Sequence, residues 1–206
     1  MGEPKAVATH AEEVAPRVWH WRIRDDRIGN APSAAHAVGA EEGTVLVDPL
    51  PLAPEAFTQF GNISAICLTT TSHQRSAWRL RQELGVPVWI PSLAQAIDEQ
   101  PDMRYSEGDS IPGGLEAIFT PGAGTRQHSF LLERDGGVVF TPDLFVHEEG
   151  AELRFVSAQY MHDPEEARRS AGRLLERDFA VLCTGHGAPV TVDPHEAIRA
   201  ALAENI

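Results

Sequence analysis

Lysine, cysteine and long apolar runs are all scarce in this sequence. Lys5 is its single lysine, and the 17 basic residues stand against 30 acidic ones, which gives a formal net charge of −13. A protein of that charge repels phosphate backbones and anionic lipids, so neither nucleic acid nor a membrane surface is expected as a partner. No apolar run reaches the roughly 20 residues that a membrane-spanning helix needs.

The two cysteines, Cys67 and Cys183, lie in the apolar runs AICL and AVLC, which are typical of buried strands. This placement predicts two small core residues in a reducing compartment, and a redox pair would require the two strands to be neighbours. Residues 1–16 are acidic, rich in alanine and without the apolar core of a signal peptide. We therefore predict a flexible acidic tail over residues 1–16, a single domain over residues 17–206 and a cytoplasmic location.

The remaining pattern is that of one folded α/β domain. Apolar runs separated by glycine-containing turns predict two β-hairpins, over residues 33–48 and 129–141. Apolar residues at helical spacing predict helices over residues 74–84, 164–177 and 194–204, the second of them capped by Asp163. Since strands and helices recur in both halves of the chain, two sheets with outer helices are expected.

Several short motifs stand in order along the chain. They are residues 44–49 (TVLVDP), 107–115 (EGDSIPGGL) followed by TPG at 120–122, 138–143 (VVFTPD) and 181–187 (VLCTGHG). Together they resemble motifs of the metallo-β-lactamase superfamily. In addition, the predicted strand of residues 63–68 runs into a polar loop and a helix, where the superfamily carries T-H-x-H-x-D-H. The resemblance covers residues 18–202 and implies a four-layer αββα sandwich.

The superfamily's dinuclear metal site implies seven ligand positions. They fall on Thr70, Ser72, Gln74, Arg75, Ala123, Asp143 and His186. Zinc binds imidazole, thiolate or carboxylate groups, so only Asp143 and His186 keep side chains that bind it, and catalytic zinc normally has three protein ligands. The resemblance therefore implies a degenerate site, with the seven positions lining a cleft and no metal ion expected.

Two functions follow from this interpretation. The first is a pseudoenzyme, in which the old cleft binds a small molecule or a partner, including a second copy of the chain. The alternative is a hydrolase of thioester, ester or phosphoester type with a nonstandard mononuclear site for zinc, iron or manganese. Asp143 and His186 are then the candidate catalytic residues, and His128 is the candidate third ligand.

Other residues near these positions have weaker signals. Arg75 stands at a ligand position at the start of a helix, and we predict that its guanidinium pairs with Asp143 rather than pointing to solvent. His73 stands where the resemblance implies a variable, outward-facing residue, His36 is predicted on a sheet surface and His20 at the periphery. Ser72 or Thr70 with His186 and Asp143 would supply the residue types of a catalytic triad, but the G-x-S-x-G motif is absent.

Overall fold

Two β-sheets form the centre of the structure, a computed structural model that describes residues 2–95 and 97–204. The first sheet contains, in spatial order, β1 (Glu12–Ala15), β2 (Val18–Asp25), β3 (Ala31–Ala40), β4 (Gly43–Val47), β5 (Ile63–Cys67), β6 (Val88–Pro91) and β7 (Met103–Tyr105). Strands β1 to β4 are antiparallel, whereas β4 to β7 are parallel. The parallel strands all end at the same edge, which places the loops that follow them side by side.

The second sheet is built around the long strand β11 (Val138–His147). It contains β8 (Ser110–Ile111), β9 (Leu115–Phe119), β10 (His128–Leu132), β12 (Arg154–Phe155) and β13 (Val181–Gly187). Strand β13 runs parallel to β11, and the register between them shifts between Thr141 and Val146. A shift of this kind bends a strand and redirects its side chains, and it lies beside Asp143.

Within residues 2–95 and 97–204, four α-helices cover the outer faces of the two sheets. They are α1 (Pro54–Phe57), α2 (Ala77–Leu84), α3 (Pro164–Leu174) and α4 (Pro194–Ala203). Gly85 caps the C-terminus of helix α2, because its left-handed backbone lets its N–H reach the carbonyl of Arg81. Helix α3 begins at Asp163, whose carboxylate accepts from the N–H of Glu166, so the predicted cap is confirmed.

Three apolar layers hold the sheets and helices together. Trp78 and Leu80 of α2 pack on the outer face of the first sheet, Phe130 and Phe140 lie between the sheets, and Leu174 of α3 packs on the outer face of the second. The predicted αββα order is therefore confirmed. Cys67 and Cys183 are buried in the layer between the sheets and are not joined in a disulfide, as expected for core residues.

The N-terminal segment contributes to the first sheet. Strand β1 pairs with β2, and the N–H of Ala8 donates to the carbonyl of Pro51. Both features lie inside residues 1–16, where the sequence indicated no strand. The division into a tail and a single domain stays a prediction.

None of the helices in the described ranges combines the length and the apolar character needed to cross a membrane.

A buried histidine pair lies between the sheets, where the sequence predicted surface residues. His20 of β2 and His36 of β3 are opposite each other, with His20 Nδ1 3.2 Å from His36 Nε2, and His36 packs edge-on against Phe140. The predicted positions of both histidines were wrong because the alanine-rich strand β3 is covered on both faces. Burial lowers the pKa of His20 to about 3 and holds the pKa of His36 well below its usual range.

Acidification should destabilise the protein through this pair. Unfolded histidine binds a proton below its ordinary pKa of 6.5, whereas folded His20 resists protonation until about pH 3. The stability that the neutral pair contributes is therefore complete above pH 6.5 and is lost as the pH falls towards 3. We expect the free energy of unfolding in urea to fall by about 2 kcal/mol per histidine on going from about pH 6.5 to about pH 5.

A double variant, His20→Phe with His36→Leu, should lose this part of the pH dependence. The control His10→Gln, which changes an exposed histidine, should keep it. If the free energy of unfolding falls equally steeply with acidification in the double variant and in the parent, the histidine pair is not the cause.

Candidate functional site

Polar residues meet where parallel strands of both sheets end. Asp48 follows β4, and a short turn, Thr71–His73, follows β5. On the second sheet Asp143 lies in the irregular part of β11 and His186 lies near the end of β13. Because β4 and β5 are parallel, as are β11 and β13, these side chains converge at one edge of the sandwich.

The carboxylate of Asp143 is the centre of the cluster. Its Oδ1 lies 2.9 Å from His73 Nε2 and 2.7 Å from His186 Nε2, and its Oδ2 accepts a 2.8 Å hydrogen bond from the hydroxyl of Ser72. The two imidazole rings meet edge to face, with their centroids 5.6 Å apart. One carboxylate therefore connects a serine and a histidine of one turn with a histidine of β13.

The other nitrogen of each histidine has a fixed partner. His73 Nδ1 lies 2.8 Å from Asp48 Oδ2, and His186 Nδ1 lies 2.9 Å from the carbonyl oxygen of Pro32. Because a carbonyl and a carboxylate accept hydrogen bonds, both contacts favour a proton on Nδ1. The Nε2 atoms of both rings then point towards Asp143.

His73 is the member of this cluster that the sequence analysis missed. It was expected to face outward, but its side chain is 4% exposed. Gly185 makes this position available, because a Cβ atom there would lie 2.9 Å from His73 Cε1. The signal in the sequence was the glycine beside His186, although nothing in the spacing connects it to position 73.

Groups of opposite charge lie close together in the cluster and shift each other's pKa. Burial opposes the ionisation of Asp143, but His73 and His186 outweigh it and hold the pKa of Asp143 well below its usual range. Burial and Arg75 lower the pKa of His73, but Asp143 and Asp48 overcome them and raise it. Asp48 also accepts from the N–H of Thr69 at 2.8 Å and from its hydroxyl at 2.5 Å, so it is fixed in place.

Arg75 is buried beside the cluster, but it does not pair with Asp143. Its Nη1 donates to the carbonyls of Ala34 (2.5 Å) and Asp48 (3.1 Å), and its Nη2 donates to the carbonyl of Gly185 (3.3 Å). Within the described ranges, the basic side chains with a nitrogen within 4.0 Å of the Asp143 carboxylate are His73 and His186. The predicted ion pair was wrong, and so was its alternative, because the guanidinium is held by main-chain oxygens rather than by water.

The other predicted positions lie around the cluster with different roles. Thr70 Oγ1 is 3.2 Å from Ser72 Oγ, so it supports the serine that contacts Asp143. Gln74 is turned into α2, where it contacts Trp78, and the carbonyl of Ala123 accepts from the N–H of His162. In the described part of the chain, the side chains that hydrogen-bond to the Asp143 carboxylate are Ser72, His73 and His186.

His128 does not join Asp143 and His186. It is buried against the rings of Tyr105 and Phe119, and burial lowers its pKa to about 4. Among the residues that the structure describes, the group whose ligand atoms lie within 4.8 Å of one another is His73, Asp143 and His186. His73 thus occupies the third place that the sequence analysis gave to His128.

This donor set suits a single transition-metal ion. Two imidazoles and one carboxylate are ligands of zinc and of iron(II), and such histidines normally donate their other N–H to a carboxylate or a carbonyl. Asp48 and the carbonyl of Pro32 are partners of that kind. The side chains of Asp143 and His186 are 23% and 14% exposed, so a metal ion here would be open to substrate on one side.

No family model matches the sequence, and a search of curated proteins finds no match. Solved structures do match. A metallo-β-lactamase from Pontibacter korlensis aligns with a TM-score of 0.74 at 18% identity over 95% of this chain and 99% of its own. An archaeal metallo-β-lactamase superfamily protein from Sulfolobus tokodaii aligns with a TM-score of 0.67 at 15% identity over 91% and 88%.

A third solved structure is a metallo-β-lactamase from Cronobacter sakazakii, described by a HARLDQ motif. It aligns with a TM-score of 0.59 at 19% identity over 88% of this chain and 79% of its own. At such identities the matches establish the fold alone. The chain has the metallo-β-lactamase fold.

Removing the charge of Asp48 should destabilise the protein strongly. Asp48→Asn keeps the shape of the side chain but leaves His73 and Arg75 buried with less compensating charge, so we expect the free energy of unfolding at neutral pH to fall by about 3 kcal/mol or more. Asp193→Asn is the matched control, since Asp193 has a similar left-handed backbone (φ 46° against 48°) but is exposed and caps no helix with its side chain. Equal losses in the two variants, measured by urea unfolding, would refute the role of Asp48.

Proposed function

We propose that this chain is a hydrolase of thioester, ester or phosphoester type that holds one metal ion with His73, Asp143 and His186. The observation that carries the proposal is the anchoring of both histidines through Nδ1, by Asp48 and by the carbonyl of Pro32. With a proton on each Nδ1, the lone pair of each Nε2 is free for a metal ion. The ordinary hydrogen-bonding needs of a buried histidine do not require two rings to face the same carboxylate oxygen.

The charge of the cluster supports the binding of a cation. Asp48 and Asp143 contribute two negative charges and Arg75 one positive charge, so with neutral imidazoles the cluster is left with one negative charge in a largely buried place. Such a charge is unfavourable without a counterion. A divalent ion would more than offset this charge, and it would at the same time replace the contacts between Asp143 and the two rings.

The remaining residues have supporting roles. Ser72 holds the second oxygen of Asp143, so one carboxylate oxygen is left for the metal ion. When bound, zinc, iron or manganese would supply Lewis acidity, which polarises a carbonyl or phosphoryl oxygen and lowers the pKa of water. The choice of ester, thioester or phosphoester as substrate rests on analogy with the fold.

We infer one ion rather than two from the residues at the seven positions named above. Thr70, Ser72, Gln74, Arg75 and Ala123 carry no zinc-binding side chain. The Cronobacter structure offers a parallel, because the HARLDQ motif that describes it also contains arginine and glutamine. Within the described ranges no second group of three potential metal ligands accompanies His73, Asp143 and His186.

A second function, a binding module without catalysis, is favoured by a different observation. Both ring nitrogens of His73 face carboxylate oxygens, as they would in an imidazolium that donates two hydrogen bonds. In that state the charges of Asp48, Asp143, Arg75 and His73 sum to zero without a metal ion. The cluster would then be a structural remnant beneath a cleft that binds a small molecule or a partner.

Metal content separates the two functions. Protein purified without chelators should contain about one zinc, iron or manganese ion per chain, measured by mass spectrometry, because three protein ligands are the usual complement of a catalytic metal site. His73→Ala, Asp143→Ala and His186→Ala should each lose the metal, whereas His128→Ala should retain it. A folded protein that stays free of metal after incubation with each ion would refute the proposal, and loss of metal in His128→Ala would refute the ligand set.

Hydrolysis should follow metal content. The metal-loaded protein is expected to cleave members of a panel of aryl esters, acyl thioesters and aryl phosphodiesters, and the His73→Ala variant should fall to the rate of the buffer. His10→Gln, which changes an exposed histidine, is the control and should keep the rate. A metal-loaded protein that cleaves no member of the panel would favour the binding module instead.

A further inference from the structure

We propose that Arg75 is a positioning residue, a built-in cation that fixes the groups which orient His73 and His186. The role rests on the proposed metal site, but the arrangement of Arg75 can be tested without metal. The side chain is buried, with 6% of the residue exposed, and it touches main chain from three separate parts of the fold. Each of these contacts lies close in the sequence to a candidate ligand or to a residue that hydrogen-bonds to one.

Each of the three carbonyl oxygens around the guanidinium belongs to a residue that holds a candidate ligand or lies within two positions of such a residue or of the ligand itself. Asp48 accepts from Arg75 through its carbonyl and contacts His73 through its carboxylate. Gly185, the residue before His186, accepts through its carbonyl. Ala34 accepts two residues beyond Pro32, whose carbonyl contacts His186 Nδ1. A planar guanidinium with five donors can connect these points at once.

The backbones of Arg75 and Asp48, which share a hydrogen bond, both have unusual conformations. Arg75 has a φ of 38° and Asp48 a φ of 48°, both in the left-handed region that side chains other than glycine rarely adopt. Such conformations are unfavourable and persist where the surrounding structure requires them, often at functional sites. Arg75 and Asp48 are joined by one hydrogen bond beside a cluster of buried charges, so a change at Arg75 is expected to reach the carboxylate that holds His73.

The charge of Arg75 is as important as its shape. Burial is unfavourable for the charge of Arg75, and the nearby carboxylates of Asp48 and Asp143 offset part of this cost. The three carbonyl oxygens accept hydrogen bonds from the guanidinium and help to hold it. A neutral side chain of similar size would leave buried carbonyls without donors and the two carboxylates with less compensation. A positively charged, planar hydrogen-bond donor is therefore needed at position 75.

Chemical rescue tests this requirement. Arg75→Ala should bind zinc at least about tenfold more weakly than the parent in a competition with a chelating dye, as expected when a partner that orients a metal ligand is lost. Guanidinium chloride at 50 mM, far below denaturing concentrations, should restore most of the affinity, whereas urea, a neutral planar donor, should not. The control Arg79→Ala removes an arginine of α2 whose side chain is 41% exposed and should bind zinc like the parent.

A metal-free measurement keeps this inference separate from the proposed function. In the apoprotein, the ¹⁵N signals of the His73 and His186 rings should shift in Arg75→Ala and return with guanidinium but not with urea. Arg75→Lys, which keeps the charge without the planar fork, serves as the second variant if Arg75→Ala does not fold, and its ring signals should differ from those of the parent. Failure of the parent to bind metal would refute the proposed function alone.

Unchanged ring signals and unchanged zinc affinity in a folded Arg75→Ala variant would overturn the positioning role. Equal rescue by urea and guanidinium would overturn the requirement for charge.

Discussion

One carboxylate oxygen, Oδ1 of Asp143, receives two imidazole rings from opposite sheets, and the rest of the site depends on that contact. It requires Asp143 to leave the regular ladder of β11, which the register shift between Thr141 and Val146 provides. It also requires space for the ring of His73, which the missing Cβ of Gly185 provides. The site is thus a product of two local irregularities in the second sheet.

Burial of several charges in one place explains why the surrounding contacts are so well defined. Asp48, His73, Asp143 and Arg75 are close together, and removing any one partner would leave another buried charge without compensation. The pKa values of His73 and Asp143 move in opposite directions, upward and downward, as expected for groups that stabilise each other's charged forms. The cluster therefore behaves as one electrostatic unit, whether the cation between its members is a metal ion or a proton.

The sequence predicted the layers of the fold but only part of the site. Hairpins and helices follow from alternation, helical spacing and caps such as Asp163, all of which are local, and the structure confirms these elements. The start of the helix predicted over residues 74–84 was wrong, because Arg75 has a left-handed backbone and α2 begins at Ala77. Asp143 and His186 were identified because motifs surround them. The burial of His20 and His36 was missed because it depends on the second sheet covering β3, and the contacts of Arg75 were missed because they are made to main chain, which carries no sequence signal.

His73 was missed for a reason of geometry. Ser72 and His73 are consecutive, yet both contact the carboxylate of Asp143, one through each oxygen. Neighbouring residues point to opposite faces in a strand and about 100° apart in a helix, so a pattern search assigns them to different environments. In the short turn Thr71–His73 neither rule applies, and the chain curves around the carboxylate. A ligand can therefore move by one position along such a turn while the ends of β5, β11 and β13 stay where they are. This accounts for how a site whose motif positions are mostly occupied by other residues still brings three metal-binding side chains together.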